Sequence, residues 1–188
     1  MQTKLLLLIA CCFCIINTAS ARIGETFDEL VSRFGKPTWE TKDYEQPAYD
    51  FRKGDYSVHV NLLDGRSANE EYWVSPGLNR SMSQADVDLI LSANSQNSQW
   101  KTVDSLDLFD RTLRKRQAAW EEGDYDPMGS PKSFTNAWSL EGRDIIAYQV
   151  QNPVSKQLRL AITTKKWDTY TTTLVKAARE NALKESGL

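Results

Sequence analysis

Tyr56-Ser57-Val58-His59-Val60-Asn61-Leu62-Leu63-Asp64-Gly65-Arg66-Ser67-Ala68-Asn69-Glu70-Glu71-Tyr72 is the stretch that decides the fold. Tyr56, Val58, Val60 and Leu62 alternate with Ser57, His59 and Asn61, and a period of two puts each set on one side of a strand. Asp64-Gly65 supplies residues that accept the positive φ of a tight hairpin turn. Two registers are open. A two-residue loop sets Val58 and Val60 opposite Glu71 and Asn69. A three-residue loop, with Gly65 left-handed, sets Val60 opposite Ala68 and Tyr56 opposite Tyr72, which gathers the apolar side chains. One face has to be buried, so the three-residue loop is expected.

Before this hairpin, Thr26 to Phe34 is a predicted helix. Thr26 and Glu29 have capping-box spacing, Phe27, Leu30, Val31 and Phe34 form one apolar stripe, and Gly35 and Pro37 stop the helix. Tyr49 and Phe51 alternate ahead of a turn at Lys53-Gly54-Asp55. After the hairpin, Ser83 to Ala93 is a second capped helix. Asp86 stands at N3, Met82 and Val87 have staple spacing, and Val87, Ile90 and Leu91 form the stripe. Asn94 to Gln99 is a polar loop that ends at Trp100. Over Asp104 to Asp126, Leu106, Phe109, Leu113 and Trp120 approximate a helical face. Phe134–Leu140, Asp144–Val150 and Gln157–Thr164 read as strands, with turns at Glu141-Gly142 and Asn152-Pro153. Asp168 to Lys184 is a final helix with Tyr170, Leu174 and Ala178 on its buried side. Asp64-Gly65-Arg66 followed by Tyr72 echoes Glu141-Gly142-Arg143 followed by Tyr148, which suggests two diverged helix-plus-meander units.

The first 21 residues read as a targeting segment. Lys4 is the basic start, and Leu5 to Ile16 is an apolar run of 12, shorter than the ~18 that mark a membrane span. Ala19-Ser20-Ala21 places small residues at −3 and −1. Cleavage after Ala21 and export to the periplasm or the medium are expected, leaving 167 residues. The alternatives are an uncleaved anchor, or lipid anchoring at Cys11 within Leu8-Ile9-Ala10-Cys11. No later segment is apolar enough to span a membrane.

The same cut removes Cys11, Cys12 and Cys14, the chain's three cysteines, so a disulfide scaffold, a cysteine nucleophile and a thiolate metal site are all excluded. His59 is the single histidine. Without Lys4, 22 basic residues face 25 acidic ones, a balance that argues against nucleic acid as a partner. The expectation is no cofactor and no metal.

His59 points away from the buried side, and as a base it would need an orienting carboxylate, for which Glu70 is the candidate. Asp124-Tyr125-Asp126 has a calcium-loop start, but Met128 takes a ligand position. Ser98-Gln99-Trp100-Lys101 has Ser-x-x-Lys spacing without a partner motif. Glu70/Glu71 and Glu121/Glu122 are acidic pairs, but neighbouring acids on a strand face opposite ways. Asn79-Arg80-Ser81 is a glycosylation sequon. The basic cluster Arg111, Arg114, Lys115 and Arg116 could meet phosphate headgroups or an acidic partner. Of the six tryptophans, Trp39, Trp73, Trp100, Trp120, Trp138 and Trp167, three stand at element boundaries: Trp39, Trp100 and Trp167. These three, with Arg111, Arg114 and Lys115, are the candidate binding residues. No catalytic residue is assigned.

Ile23-Gly24-Glu25-Thr26, Phe34-Gly35-Lys36-Pro37, the strands around Asp64-Gly65 and the run to Asn94 and Trp100 resemble uncharacterised small secreted bacterial proteins. The first ~50 residues after the leader are more distantly similar to the small lipoprotein domain of outer-membrane assembly factors. The resemblance implies an α+β layer and an envelope setting, and it carries over no catalytic residue.

The reading is therefore an α+β fold: an antiparallel sheet with helices packed on one face. It occupies a single domain over 22–188, divisible into 22–80 and 81–188. The expected function is an exported, non-catalytic binding or assembly module of the cell envelope, with an envelope protein or a glycan as partner. The alternatives are a carboxylate-based hydrolase of envelope polymers, or a sugar or peptide binder using the boundary tryptophans. The sequence sets no oligomeric state.

Overall fold

The computed structural model of the chain describes residues 22–41, 46–103, 134–151 and 157–185. The leader, the stretch 104–133 with Arg111, Arg114, Lys115 and Arg116, the Asp124–Asp126 loop, and the turn at Asn152 lie outside the described residues, as does the Ala178 side chain. The order is α1 (Phe27–Phe34), β1 (Trp39–Thr41), β2 (Ala48–Lys53), β3 (Tyr56–Leu63), β4 (Arg66–Val74), α2 (Gln84–Ala93), β5 (Trp100–Val103), β6 (Phe134–Leu140), β7 (Ile145–Gln151), β8 (Leu158–Thr164) and α3 (Lys165–Glu185). The strands form one antiparallel sheet of order β1-β2-β3-β4-β8-β7-β6-β5. A helix followed by a four-stranded meander therefore occurs twice. The order reads outward the same way on both sides of the β4–β8 seam.

The α+β architecture is the one the pattern implied. α1 and α2 both begin with capping boxes, at Thr26/Glu29 and Ser83/Asp86. Leu30, Phe34, Met82, Val87, Ile90 and Leu91 join Phe51, Val58, Val60, Leu62, Tyr72, Leu140, Leu160 and Ile162 in one core. Burying aliphatic side chains of this kind contributes roughly 1.5–3 kcal/mol each. α3 enters a second, smaller cluster, in which Trp167 and Tyr170 meet Leu63 and Ala68.

The hairpin loop differs from expectation. Leu63 pairs with Arg66, so the loop is the two residues Asp64 and Gly65, both with positive φ (53° and 74°) as in a primed turn. Ala68 is then an extra residue on β4, because Leu62 pairs with Ser67 while Asn61 pairs with Asn69. Past this bulge Val58 faces Tyr72 and Val60 faces Glu70. Val58, Val60, Leu62, Tyr72 and Val74 still collect on one face, since the bulge restores the parity that a three-residue loop would have given, while Leu63 and Ala68 go to the α3 cluster. The bulge also aims Ser67 at the chain's entry. Gly24 N–H donates to Ser67 Oγ and to its carbonyl at 2.8 Å each, and Ser67 N–H donates to the Glu25 carbonyl at 2.7 Å.

Two strands were not foreseen. β1 and β5 have three and four residues and form the two edges of the sheet, too short to show alternation. The echo of Asp64-Gly65 in Glu141-Gly142 joins turns in different places, β3–β4 and β6–β7. The topological match to the β6–β7 turn is the Gly54 turn between β2 and β3, where φ is also positive. α3 begins at Lys165 rather than Asp168. Leu174, expected on its buried side, is exposed, whereas Trp167, Asp168 and Thr171 in the first two turns are buried. Its threonines donate hydroxyls back to carbonyls four residues earlier, as Thr172 does to Asp168 at 2.8 Å.

Candidate functional site

Strand register divides the sheet's polar residues between two sites. On the core face one row runs Tyr49, Val60, Glu70, Ile162, Ala147, Trp138. Glu70 stands in the middle of it, fully buried. Leu30, Arg33 and Phe34 share one side of α1, and Arg33 Nη2 donates to Glu70 Oε1 at 2.9 Å. Tyr72 OH donates to the other oxygen of Glu70 at 2.5 Å, and Asn94, the C-cap of α2, reaches Tyr72 OH at 3.5 Å. Glu25 Oε2 lies 2.9 Å from Arg33 Nε, and the Arg33 guanidinium sits 3.9 Å from the Phe34 ring centroid.

Burial opposes the charge of Arg33, but Glu70, Tyr72 and Glu25 outweigh it and hold the guanidinium protonated. Burial also pushes the Glu25 carboxyl up to about 7, because Arg33 offsets this only in part and Glu70 adds repulsion. Burial and then Glu70 keep the Tyr72 phenol protonated, as a donor must be. Arg33 Nη1 and Asn94 Oδ1 are buried without a hydrogen-bond partner. Glu25 and Glu70 are two carboxyls on either side of one guanidinium, but the sealed position of Glu70 keeps a substrate from it. The network ties α1, the β4–β8 seam and the end of α2 together.

A second cluster joins the two units. Asp86 Oδ2 accepts from Ser83 N–H at 2.7 Å and from Arg80 Nη1 at 2.8 Å, while Tyr56 OH donates to Oδ1. Arg80 Nη2 also reaches Asp55 at 3.1 Å. The short Asp side chain at N3 serves cap and clamp together. Burial would raise the Asp86 carboxyl, but the bonds from Arg80, Tyr56 and Ser83 prevail and hold it well below the usual carboxylate range. Asp86→Ala removes the reciprocal cap and the Tyr56 bond, so urea unfolding is expected to show a loss of about 1–2 kcal/mol.

The face opposite α1 and α2 carries the remaining chemistry. An unbroken row of paired residues crosses all eight strands: Trp39, Asp50, His59, Glu71, Ala161, Tyr148, Ala137, Val103. One step along, the row of Thr41, Ala48, Asn61, Asn69, Thr163 and Ile146 is buried. At its β1–β4 end the first row is open: Trp39 is 50% exposed, and Asp50, His59 and Glu71 are half-buried. His59 Nδ1 lies 2.7 Å from Asp50 Oδ1. The expected partner, Glu70, is on the other face, because it pairs with Val60. Arg159 Nη1 donates to Glu71 at 3.3 Å and its guanidinium lies 4.8 Å from the Trp73 ring centroid.

Of the boundary tryptophans, Trp39 alone is exposed. Trp100 is half-buried and donates Nε1–H to the Leu91 carbonyl at 2.7 Å, and Trp167 is buried in the α3 cluster. Trp100 thus ties β5 to the end of α2, and Trp167 anchors α3. Lys101 is 2.7 Å from Glu141, an ion pair separate from Ser98. Trp73 and Asp50 were not chosen from sequence. Their shared parity with His59 and Glu71 was the available signal. No group of three or more metal-ligating side chains occurs among the described residues, and no described helix is long and apolar enough to cross a membrane.

No family model matches the chain, and no curated protein matches it. Among solved structures it is similar to a cysteine-rich secretory protein from Staphylococcus aureus subsp. aureus Mu50, at TM-score 0.37 and 14% identity. The likeness covers 77% of this chain and 45% of that one, so the chain spans under half of that protein's length.

Proposed function

We propose that the chain is an exported, non-catalytic binding or assembly module of the cell envelope that meets its partner with the sheet face opposite α1 and α2. The observation that carries this reading is the register-aligned row on that face, whose open end presents Trp39, Asp50, His59 and Glu71. Side chains on paired strands are held in place before a ligand arrives, which lowers the entropy cost of binding. The leader pattern of Lys4, Leu5–Ile16 and Ala19-Ser20-Ala21 supports export. A hydrolase acting through paired carboxylates would need both acids open to one cleft, whereas Glu70 is sealed and bound to Arg33.

Expression of the full chain with its first 21 residues tests export: mass spectrometry of the extracytoplasmic fraction should find a chain beginning at Arg22. A photo-crosslinking amino acid at exposed Arg52, on the same face, tests the surface. Adducts are expected from Arg52 and none from Leu89 on the outer side of α2. Equal adducts from both positions, or none from Arg52, would remove the proposal.

A further inference from the structure

We propose that the occupant of this face is an uncharged glycan chain, stacked on the indoles of Trp39 and Trp73 and hydrogen-bonded by the polar side chains between them. The proposal deepens the binding reading and rests on it. Trp39 lies on β1 and Trp73 on β4, three strand intervals apart, or about 14 Å across the sheet. That span suits several linked sugar rings better than a single one.

Between the two indoles stand Asp50, Ser57, His59 and Glu71, with exposed Arg52 opposite Ser57 and Arg159 over the Trp73 ring. A pyranose has apolar C–H faces and a hydroxyl edge, which matches aromatic platforms separated by donors and acceptors. The charges balance. Asp50 and Glu71 face Arg52 and Arg159, with His59 at Asp50 and Arg159 at Glu71 already in pairs. An anionic polymer needs surplus cations, whereas among the described residues of this row the two guanidiniums are matched by two carboxylates. A protein partner is matched best by a contiguous, fully desolvated apolar centre, whereas here the indoles are split by a polar row. Trp73 is further fixed by the Arg159 guanidinium on its ring.

The test titrates the exported chain with two neutral probes, an N-acetylglucosamine tetramer and a glucose tetramer, following the indole N–H signals by NMR. At least one probe should shift the Trp39 and Trp73 signals saturably. Trp39→Ala should weaken that binding about tenfold and Trp39→Phe should restore most of it. Trp39 is exposed on an edge strand, so these variants keep the fold. A uronic-acid tetramer should bind more weakly. The proposal is overturned if neither neutral probe shifts the signals, if Trp39→Ala binds like the parent, or if the charged tetramer binds better. Adducts at Arg52 with no response to either neutral probe would end the glycan assignment while leaving the binding face in place.

Discussion

Arg33→Met is expected to destabilise the protein by about 3–5 kcal/mol, because it leaves the Glu70 carboxylate buried without its counter-charge. For a chain of this size that is a fall in Tm on the order of 10 °C. Glu70 cannot escape to solvent, since it stands in the core row between Val60 and Ile162. Tyr72 OH is then its remaining described partner, and a neutral phenol cannot replace a guanidinium. The double variant Arg33→Met, Glu70→Leu should recover most of the loss. It removes both charges together, along with the unpartnered Arg33 Nη1. Thermal unfolding followed by circular dichroism checks both. If Arg33→Met melts within ~2 °C of the parent, the network does not tie α1 to the seam as described. A double variant as unstable as the single one would mean that Arg33 acts through packing on Phe34 rather than through charge.

This network was readable in outline and passed over. Arg33 follows Leu30 by three and precedes Phe34 by one, which puts it on the buried side of α1. Glu70 shares parity with Tyr72, so the argument that placed Tyr72 in the core placed Glu70 there as well. Each was a charged residue on an apolar face, and together they signal an ion pair, but no sequence rule states which acid meets which base across 37 residues. The hairpin shows a related limit. Alternation reports parity alone, so a two-residue loop plus a bulge at Ala68 has the same pattern as a three-residue loop. What separates them is Ser67, turned to hold Gly24 and Glu25, a tertiary contact. The capping boxes were local and came through intact. The edge strands β1 and β5 did not, because three or four residues carry no period. Missing β1 hid the place of Trp39 beside Asp50, whereas the pairing of His59 with Asp50 lies between β2 and β3 and followed from the turn at Gly54.

Stability should fall as pH rises from about 4.5 to 7, and Glu25 sets the sign. Its carboxyl stands at about 7 in the folded chain, raised from its ordinary 4.5 by burial. Between those values the folded state binds more protons than the unfolded one, so folding weakens as protons are removed. The upper bound is about 3.5 kcal/mol, since each pKa unit is worth about 1.4 kcal/mol, and the 15% exposure of the side chain makes the real loss smaller. Asp86 works in the opposite direction. Its folded carboxyl is depressed, so its contribution is complete above the ordinary 3.8 and is lost as pH falls below that. The two groups therefore act on separate limbs, Asp86 on the acid side and Glu25 between pH 4.5 and 7. Glu25→Gln separates them: it should flatten the decline between pH 4.5 and 7 and make the protein more stable than the parent at pH 8, while leaving the acid limb unchanged. Guanidinium unfolding at half-unit steps of pH reads both limbs. A parent curve that is flat or rising from pH 5 to 7, or a Glu25→Gln curve parallel to it, would show that the carboxyl ionises freely and that Arg33 has charge to spare for it beyond Glu70.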